Sequence, residues 1–284
     1  MHSLKLILKD IRIEHTLFAM PFAIMSAFLA AGGLPEIKKL ALLLIALFFA
    51  RSAAMAFNRI TDAKFDAANP RTKQRPLAAG GINMSRYVLF VCISSAFFIG
   101  TCYALNPLAF TLSPAALFII FFYSFTKRFT LYSHFFLGIA LSLAPIGAWV
   151  AVKGEFGLAS VLLGAAVVFW LVGLDIIYSC QDVEHDKSAG LHSIPSRLGM
   201  DSALRLSSLA HAAMIVFLLS VFFISTELGP VYLAGVALTA GLLFYEHSLV
   251  KPDDLRKVNT AFFNVNGMIS VGLMAFTVAD TLLK

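Results

Sequence analysis

Nine stretches of this chain are apolar for long enough to cross a bilayer, and that property constrains the fold more than any other. They fall at residues 16–33, 40–57, 86–104, 107–124, 134–152, 157–180, 207–225, 228–246 and 261–280, each near the roughly 20 residues a membrane helix needs. The rest of the composition agrees. Of 284 residues 59% are hydrophobic, mean hydropathy is +0.84, and 13% are charged, about half the share in a soluble domain. The expected fold class is all-α: an integral membrane bundle of nine transmembrane helices in a single domain, residues 1–284. Pro21, Pro107, Pro114 and Pro145 lie in or beside spans, where neighbouring helices re-satisfy the backbone groups that proline frees.

The basic residues orient the bundle. Of 22 Lys and Arg, 17 fall in the N-terminal tail and in alternate connections, 4 in the opposite set, and Arg51 lies inside a span. By the positive-inside rule the N-terminus is cytoplasmic and the C-terminus lies outside. The same rule accounts for the net charge of +6, so no nucleic-acid partner is implied, and no protein partner either. The polar connections 58–86, 125–133, 181–206 and 247–260 become cytoplasmic cap loops. Lys5 and Lys9, interrupted by Asp10 and Glu14, read as a cytoplasmic tail rather than a cleaved leader. Cys92, Cys102 and Cys180 have no metal or disulfide spacing and read as small buried thiols.

Carboxylates interrupt this pattern in two places. A helix turns about 100° per residue, so from Arg51 the side chains of Asn58, Asp62 and Asp66 fall at about −20°, +20° and +60°. All four share one stripe if the second helix continues beyond residue 57. In "GLDIIYSCQDVEHDKSAG", Asp182 and Asp186 follow Asp175 by the same seven and eleven residues, and Glu184 points the opposite way. Both stripes end on the cytoplasmic side. Carboxylates at a membrane edge are costly and usually functional. Several together repel unless cations compensate, and Mg²⁺ fits, because it takes few carboxylates and completes its shell with substrate phosphate oxygens.

Basic residues flank each stripe. "NPRTKQRPL" supplies Arg71, Lys73 and Arg75; Lys64 lies within the first stripe's helix. Lys187 and Arg197 follow the second stripe, and "FFYSFTKRFT" sets Tyr123 four residues before Lys127, with Arg128 next. Arg and Lys beside metal-ready carboxylates point to a multiply charged phosphate. Behind them lies an interior rich in Phe, 27 in the chain. A ligand with a diphosphate head and a long apolar tail matches both ends, and aromatic faces stabilise an allylic cation.

At these residues the chain resembles the UbiA superfamily of intramembrane aromatic prenyltransferases. The family's N-x-x-x-D-x-x-x-D corresponds to Asn58, Asp62 and Asp66, with "NPRTKQRPL" as its continuation. Its second motif corresponds to Tyr178, Asp182 and Asp186, and its Y-x-x-x-K to Tyr123 and Lys127. The resemblance covers nearly the whole chain and implies a UbiA-type fold. "IRIEHTLFAMPFA" and "GLHSIPSRLG" are similar to the 4-hydroxybenzoate polyprenyltransferase-like branch, which also resembles the futalosine-route menaquinone prenyltransferases. Where ubiquinone-type enzymes tend to read K-S-T, this chain has His192, Ser193 and Ile194, which leaves the acceptor open.

The resemblance implies a polyprenyl diphosphate, a small aromatic acceptor and Mg²⁺ as cofactor. Asn58, Asp62, Asp182 and Asp186 would hold the metal, with Asp66 in support. Lys64, Arg71, Arg75, Tyr123, Lys127 and Lys187 are the diphosphate candidates; Arg51, Tyr178 and Asp175 are the acceptor candidates. Arg51 pairing internally with Asp175 or another acid is the competing expectation. Glu14 and His15 read as interfacial, His134, His211 and His247 as isolated structural histidines, and Trp149 and Trp170 as packing or belt residues. Quinone biosynthesis at the cell inner membrane is the implied setting. A transporter of a phosphorylated or acidic solute is the rival class, but the acids cluster at one edge rather than at the midplane where transporters bind.

Overall fold

The computed structural model describes residues 2–11 and 18–284, with His2 and Ser3 as backbone only. Arg12, Glu14 and His15, and the start of the first expected span, lie outside the described residues. Among those described there is no β-strand. The helices are α1 (His2–Asp10), α2 (Met20–Ala31), α3 (Ile37–Ala68), α4 (Met84–Leu105), α5 (Pro107–Thr126), α6 (Ser133–Lys153), α7 (Leu158–Ser179), α8 (Val183–Ser188), α9 (Ile194–Leu198), α10 (Met200–Ile224), α11 (Pro230–Leu249) and α12 (Asn266–Leu283).

Seven helical segments are long and apolar enough to cross a membrane: α3, α4, α5, α6, α7 with its continuation to Ser188, α10, and α12 with the π-helical turn Thr260–Val265 before it. Within the other two expected spans lie α2, which is short, and α11, whose end carries Glu246 and His247. Large apolar side chains such as Phe97, Phe118, Phe223 and Phe244 cover the outside, a surface suited to lipid rather than water.

Local chemistry sets the helix ends. Asn106 caps α5 by accepting from the Ala109 amide at 2.8 Å, with Pro107 next, where its missing N–H costs nothing. Gly32 and Gly154 end α2 and α6 in the left-handed region, which glycine adopts without Cβ strain. α7 lies between α6 and α10 and carries the most buried surface. The α6–α7 approach depends on Gly138, because a Cβ there would sit 2.9 Å from the Val168 carbonyl oxygen.

The two largest apolar cores among the described residues lie side by side in the bundle. One joins α2, α7, α10, α11 and α12 around the fully buried Trp170. The other joins α3, α4, α5 and α6 around Phe98, Leu117 and Ile120. Trp170 is no belt residue: its indole N–H donates to Asn266 at 2.6 Å, and Asn266 donates to buried Glu246 at 2.7 Å. His211 and His247 are not isolated either, since their ring nitrogens lie 2.9 Å apart. Cys92 is exposed, whereas Cys102 and Cys180 are buried.

Candidate active site

A cavity of about 1250 Å³ lies between the two cores, bounded by α3, α5, α6 and α7. It is lined from Ser133 and His134 at the start of α6 to Ala151 at its end, a length of about 27 Å at 1.5 Å per residue. Toward α6's start it is polar. Toward α6's end the walls are apolar, with Leu112, Ile119, Leu141, Ile146 and Val150 among them.

The first carboxylate stripe stands on α3, which runs unbroken through residue 68. Arg51, Asn58, Asp62 and Asp66 all line the cavity, as the helical spacing requires. Asn58 Nδ2 donates to Asp62 Oδ2 at 3.0 Å, and Arg59 Nη1 donates to Asn58 Oδ1 at 3.4 Å.

The second stripe departs from expectation. α7 stops at Ser179, a 3₁₀ turn covers Cys180–Asp182, and α8 restarts at Val183. A 3₁₀ turn winds about 120° per residue rather than 100°, so its three residues carry Asp182 and Asp186 about 60° further round from Asp175 than an unbroken helix would. All three still line the cavity, because the turn carries the last two around its rim.

Each motif carboxylate is paired with a base. Arg75 Nη1 reaches both Asp66 oxygens at 2.7 Å. Arg71 grips Asp182 with two parallel bonds, Nε to Oδ1 at 3.0 Å and Nη2 to Oδ2 at 2.6 Å, the bidentate fork that guanidinium geometry favours. Asn69 Nδ2 adds a bond to Asp182 at 3.3 Å. Lys127 Nζ donates to Asp186 Oδ1 at 3.2 Å, and Arg128 lies 4.0 Å from Asp62. Arg71 also donates to the Tyr178 hydroxyl at 2.9 Å and covers its ring. Burial alone would lower the Arg71 guanidinium; its hydrogen bonds to Asp182 and that carboxylate's charge outweigh burial and raise it above its ordinary range.

The donor chemistry suits a hard divalent ion. The carboxylates are oxygen ligands, and Asp186 Oδ2 is buried with no hydrogen-bond partner, a cost that a cation would offset. Yet Asn58, Asp62, Asp182 and Asp186 do not form a closed cage. Among the described residues no three Asp, Glu, His or Cys side chains are gathered as a ready metal site. Mg²⁺ needs no such cage, because it is held by one or two carboxylates together with substrate phosphates.

The other expected residues divide. Tyr123, Lys127, Arg71, Arg75, Tyr178 and Asp175 line the cavity. Lys64 and Lys187 do not: both are exposed, outside the cavity lining, and Lys187 lies 3.9 Å from Glu184. Lys64 is two residues from Asp62 on a continuous helix, which turns it away from the stripe. Asp175 bonds to His134 Nδ1 at 2.6 Å, a partner that sequence spacing hides because 41 residues separate them. Asn69 was legible only as part of "NPRTKQRPL".

The comparisons fit this geometry. The family model described as the UbiA prenyltransferase family matches residues 19–268. A 4-hydroxybenzoate octaprenyltransferase from Shewanella pealeana is 29% identical over 262 residues, covering 92% of this chain and 89% of the relative. The solved apo structure of a UbiA homolog from Aeropyrum pernix K1 is 33% identical, with a TM-score of 0.85 over 95% of this chain and 99% of that one. A UbiA homolog from Archaeoglobus fulgidus, solved bound to DMAPP and Mg²⁺, is 21% identical and shares the fold at a TM-score of 0.76 over 97% of this chain and 98% of that one.

Proposed function

This chain belongs to the UbiA prenyltransferase family, and on that premise we propose that it transfers a polyprenyl group from a polyprenyl diphosphate to an aromatic acceptor such as 4-hydroxybenzoate in respiratory quinone biosynthesis. The observation that carries this reading is the pairing of four carboxylates with four bases at the polar end of a long apolar cavity.

Asn58, Asp62, Asp182 and Asp186 would hold Mg²⁺, with Asp66 in support. That ion, when bound, neutralises the diphosphate as it departs. Arg71, Arg75 and Lys127, now partnered with carboxylates, turn to the diphosphate oxygens, and Tyr123 adds a hydroxyl. Lys64 and Lys187 drop out of this set. The apolar walls exclude water from the allylic cation, and the tail lies along α6. The C1–oxygen bond to diphosphate breaks, a carbon–carbon bond forms to the ring, and the ring hydrogen leaves as a proton to the released diphosphate. Arg51 pairs with the acceptor carboxylate, and Tyr178 and Asp175 line the rest of the acceptor's place.

The same reading treats the chain as one membrane domain of nine spans, α2 and α11 included, in the cell inner membrane. The N-terminus and the carboxylate mouth face the cytoplasm. A second acceptor class is deoxyfutalosine-like, since His192, Ser193 and Ile194 depart from the ubiquinone-type pattern and leave the acceptor open. The test supplies polyprenyl diphosphate and Mg²⁺ to membranes containing the protein, with 4-hydroxybenzoate, 1,4-dihydroxy-2-naphthoate or a deoxyfutalosine-type acceptor. Mass spectrometry should find one prenylated product. No product with any acceptor contradicts the reading.

A further inference from the structure

His134 opens α6 and is almost wholly buried at the cavity wall, 1% exposed. Its Nδ1 lies 2.6 Å from Asp175 Oδ2, across on α7. Its Nε2 faces the backbone N–H of Ile194 at 3.4 Å. Ile194 is the first residue of α9, where backbone amides have no partner within the helix. An amide only donates, so Nε2 is the acceptor and carries no hydrogen. Nδ1 therefore holds the hydrogen and donates it to the Asp175 carboxylate. The backbone thus fixes the tautomer, and the tautomer aims the carboxylate.

Asp175 is not used at the diphosphate end, where Arg71, Arg75, Lys127 and Arg128 pair with the four motif carboxylates. It stands seven residues before Asp182, roughly 10 Å deeper along the helix direction. Its side chain is 25% exposed and lines the cavity. Its bond to His134 uses Oδ2, which leaves Oδ1 for a ligand.

We propose that the His134–Asp175 pair is the subsite for the ring hydroxyl of the acceptor, with Asp175 accepting the hydroxyl hydrogen and His134 acting as the positioning residue behind it. This rests on the aromatic-acceptor reading above. A carboxylate hydrogen-bonded to the hydroxyl pushes electron density into the ring, toward the carbon beside it that attacks C1 of the prenyl group. The C1–oxygen electron pair leaves on diphosphate, the new carbon–carbon bond forms, and the ring proton goes to diphosphate. The hydroxyl hydrogen stays shared with Asp175, which gains no net proton. The segment His192–Ser193–Ile194, where the chain departs from the ubiquinone-type pattern, supplies the amide behind His134.

The experiment compares full-length wild type with His134→Leu, His134→Asn and Asp175→Asn in membranes. It reads KM for 4-hydroxybenzoate, or for whichever phenolic acceptor is turned over. It also reads KM for the prenyl diphosphate and the inhibition constant of the acceptor's deoxy analogue (benzoate for 4-hydroxybenzoate). Loss of a hydrogen bond to a charged group corresponds to about tenfold or more. His134→Leu and Asp175→Asn should raise the acceptor KM by about that factor and leave the other two constants within about twofold. His134→Asn, whose amide N–H stands near the Nδ1 position, should restore most of the loss. If His134→Leu does not fold, Asp175→Asn and His134→Asn carry the same comparison. An unchanged acceptor KM in Asp175→Asn, or an equal rise for the deoxy analogue, overturns the subsite. No turnover of any phenolic acceptor by wild type overturns instead the reading on which the subsite rests.

Discussion

The two carboxylate halves of the cavity mouth are built differently. Asn58, Asp62 and Asp66 stand on one unbroken 32-residue helix, so helical geometry alone orders them. Asp182 and Asp186 stand on a 3₁₀ turn and a six-residue helix. Their order comes from cross-links, to Arg71 and Asn69 in the loop after α3 and to Lys127 at the end of α5. One half is set by its own backbone and the other by tertiary pairs. The second half should therefore be more sensitive to the loss of a basic partner.

The largest expected effect tests whether both halves are needed. Asp62→Asn and Asp182→Asn should each lower kcat by at least about a hundredfold, the scale of removing one electrostatic contact to a departing anion, while the purified variants keep the wild-type circular dichroism spectrum. Near-wild-type turnover by either would confine the metal to one half. Next come the bases. Arg71→Lys loses the two-pronged grip on Asp182 that lysine does not reproduce. It should raise KM for the prenyl diphosphate about tenfold. Arg75→Lys, which replaces a grip made through one nitrogen, Nη1, should cost only about threefold. Reversed magnitudes would undo the contrast between the halves. Tyr178→Phe removes one hydrogen bond to Arg71, worth about 0.5–1.5 kcal/mol, so a loss in kcat/KM of about two- to twelvefold is expected. The smallest effects fall outside the cavity: Lys64→Ala and Lys187→Ala should stay within about twofold of wild type in both constants.

The same contrast explains what was legible in the sequence. Arg51, Asn58, Asp62 and Asp66 could be set on one face from spacing alone, because α3 keeps a constant turn through all four. For Asp175, Asp182 and Asp186 the identical spacing places all three at the cavity but not the extra rotation between them, since no residue type in "YSCQDVEHD" announces the 3₁₀ turn. Lys64 and Lys187 were grouped with the diphosphate bases by proximity in sequence, yet helical direction turns Lys64 outward, and Lys187 sits beside Glu184. The partner of His134 is not legible in the sequence: a single histidine at the start of an apolar helix carries no sequence signal for a carboxylate 41 residues away. Spans and their apolar character were legible because lipid imposes one rule on every residue of a helix. Pairings between helices were not, because each depends on how two backbones approach, as Gly138 permits between α6 and α7.

Metal-dependent binding of the diphosphate head across the two halves is tested most directly by thermal stabilisation of the purified protein with a non-ionising prenyl thiolodiphosphate. A ligand that binds only the folded state raises the melting temperature in proportion to its affinity. Wild type should be stabilised by the analogue with Mg²⁺ and lose most of that stabilisation in chelator. Asp62→Asn and Asp182→Asn should each lose it even with Mg²⁺ present. Full stabilisation in chelator, or in either variant, contradicts a diphosphate held by metal between the two carboxylate halves.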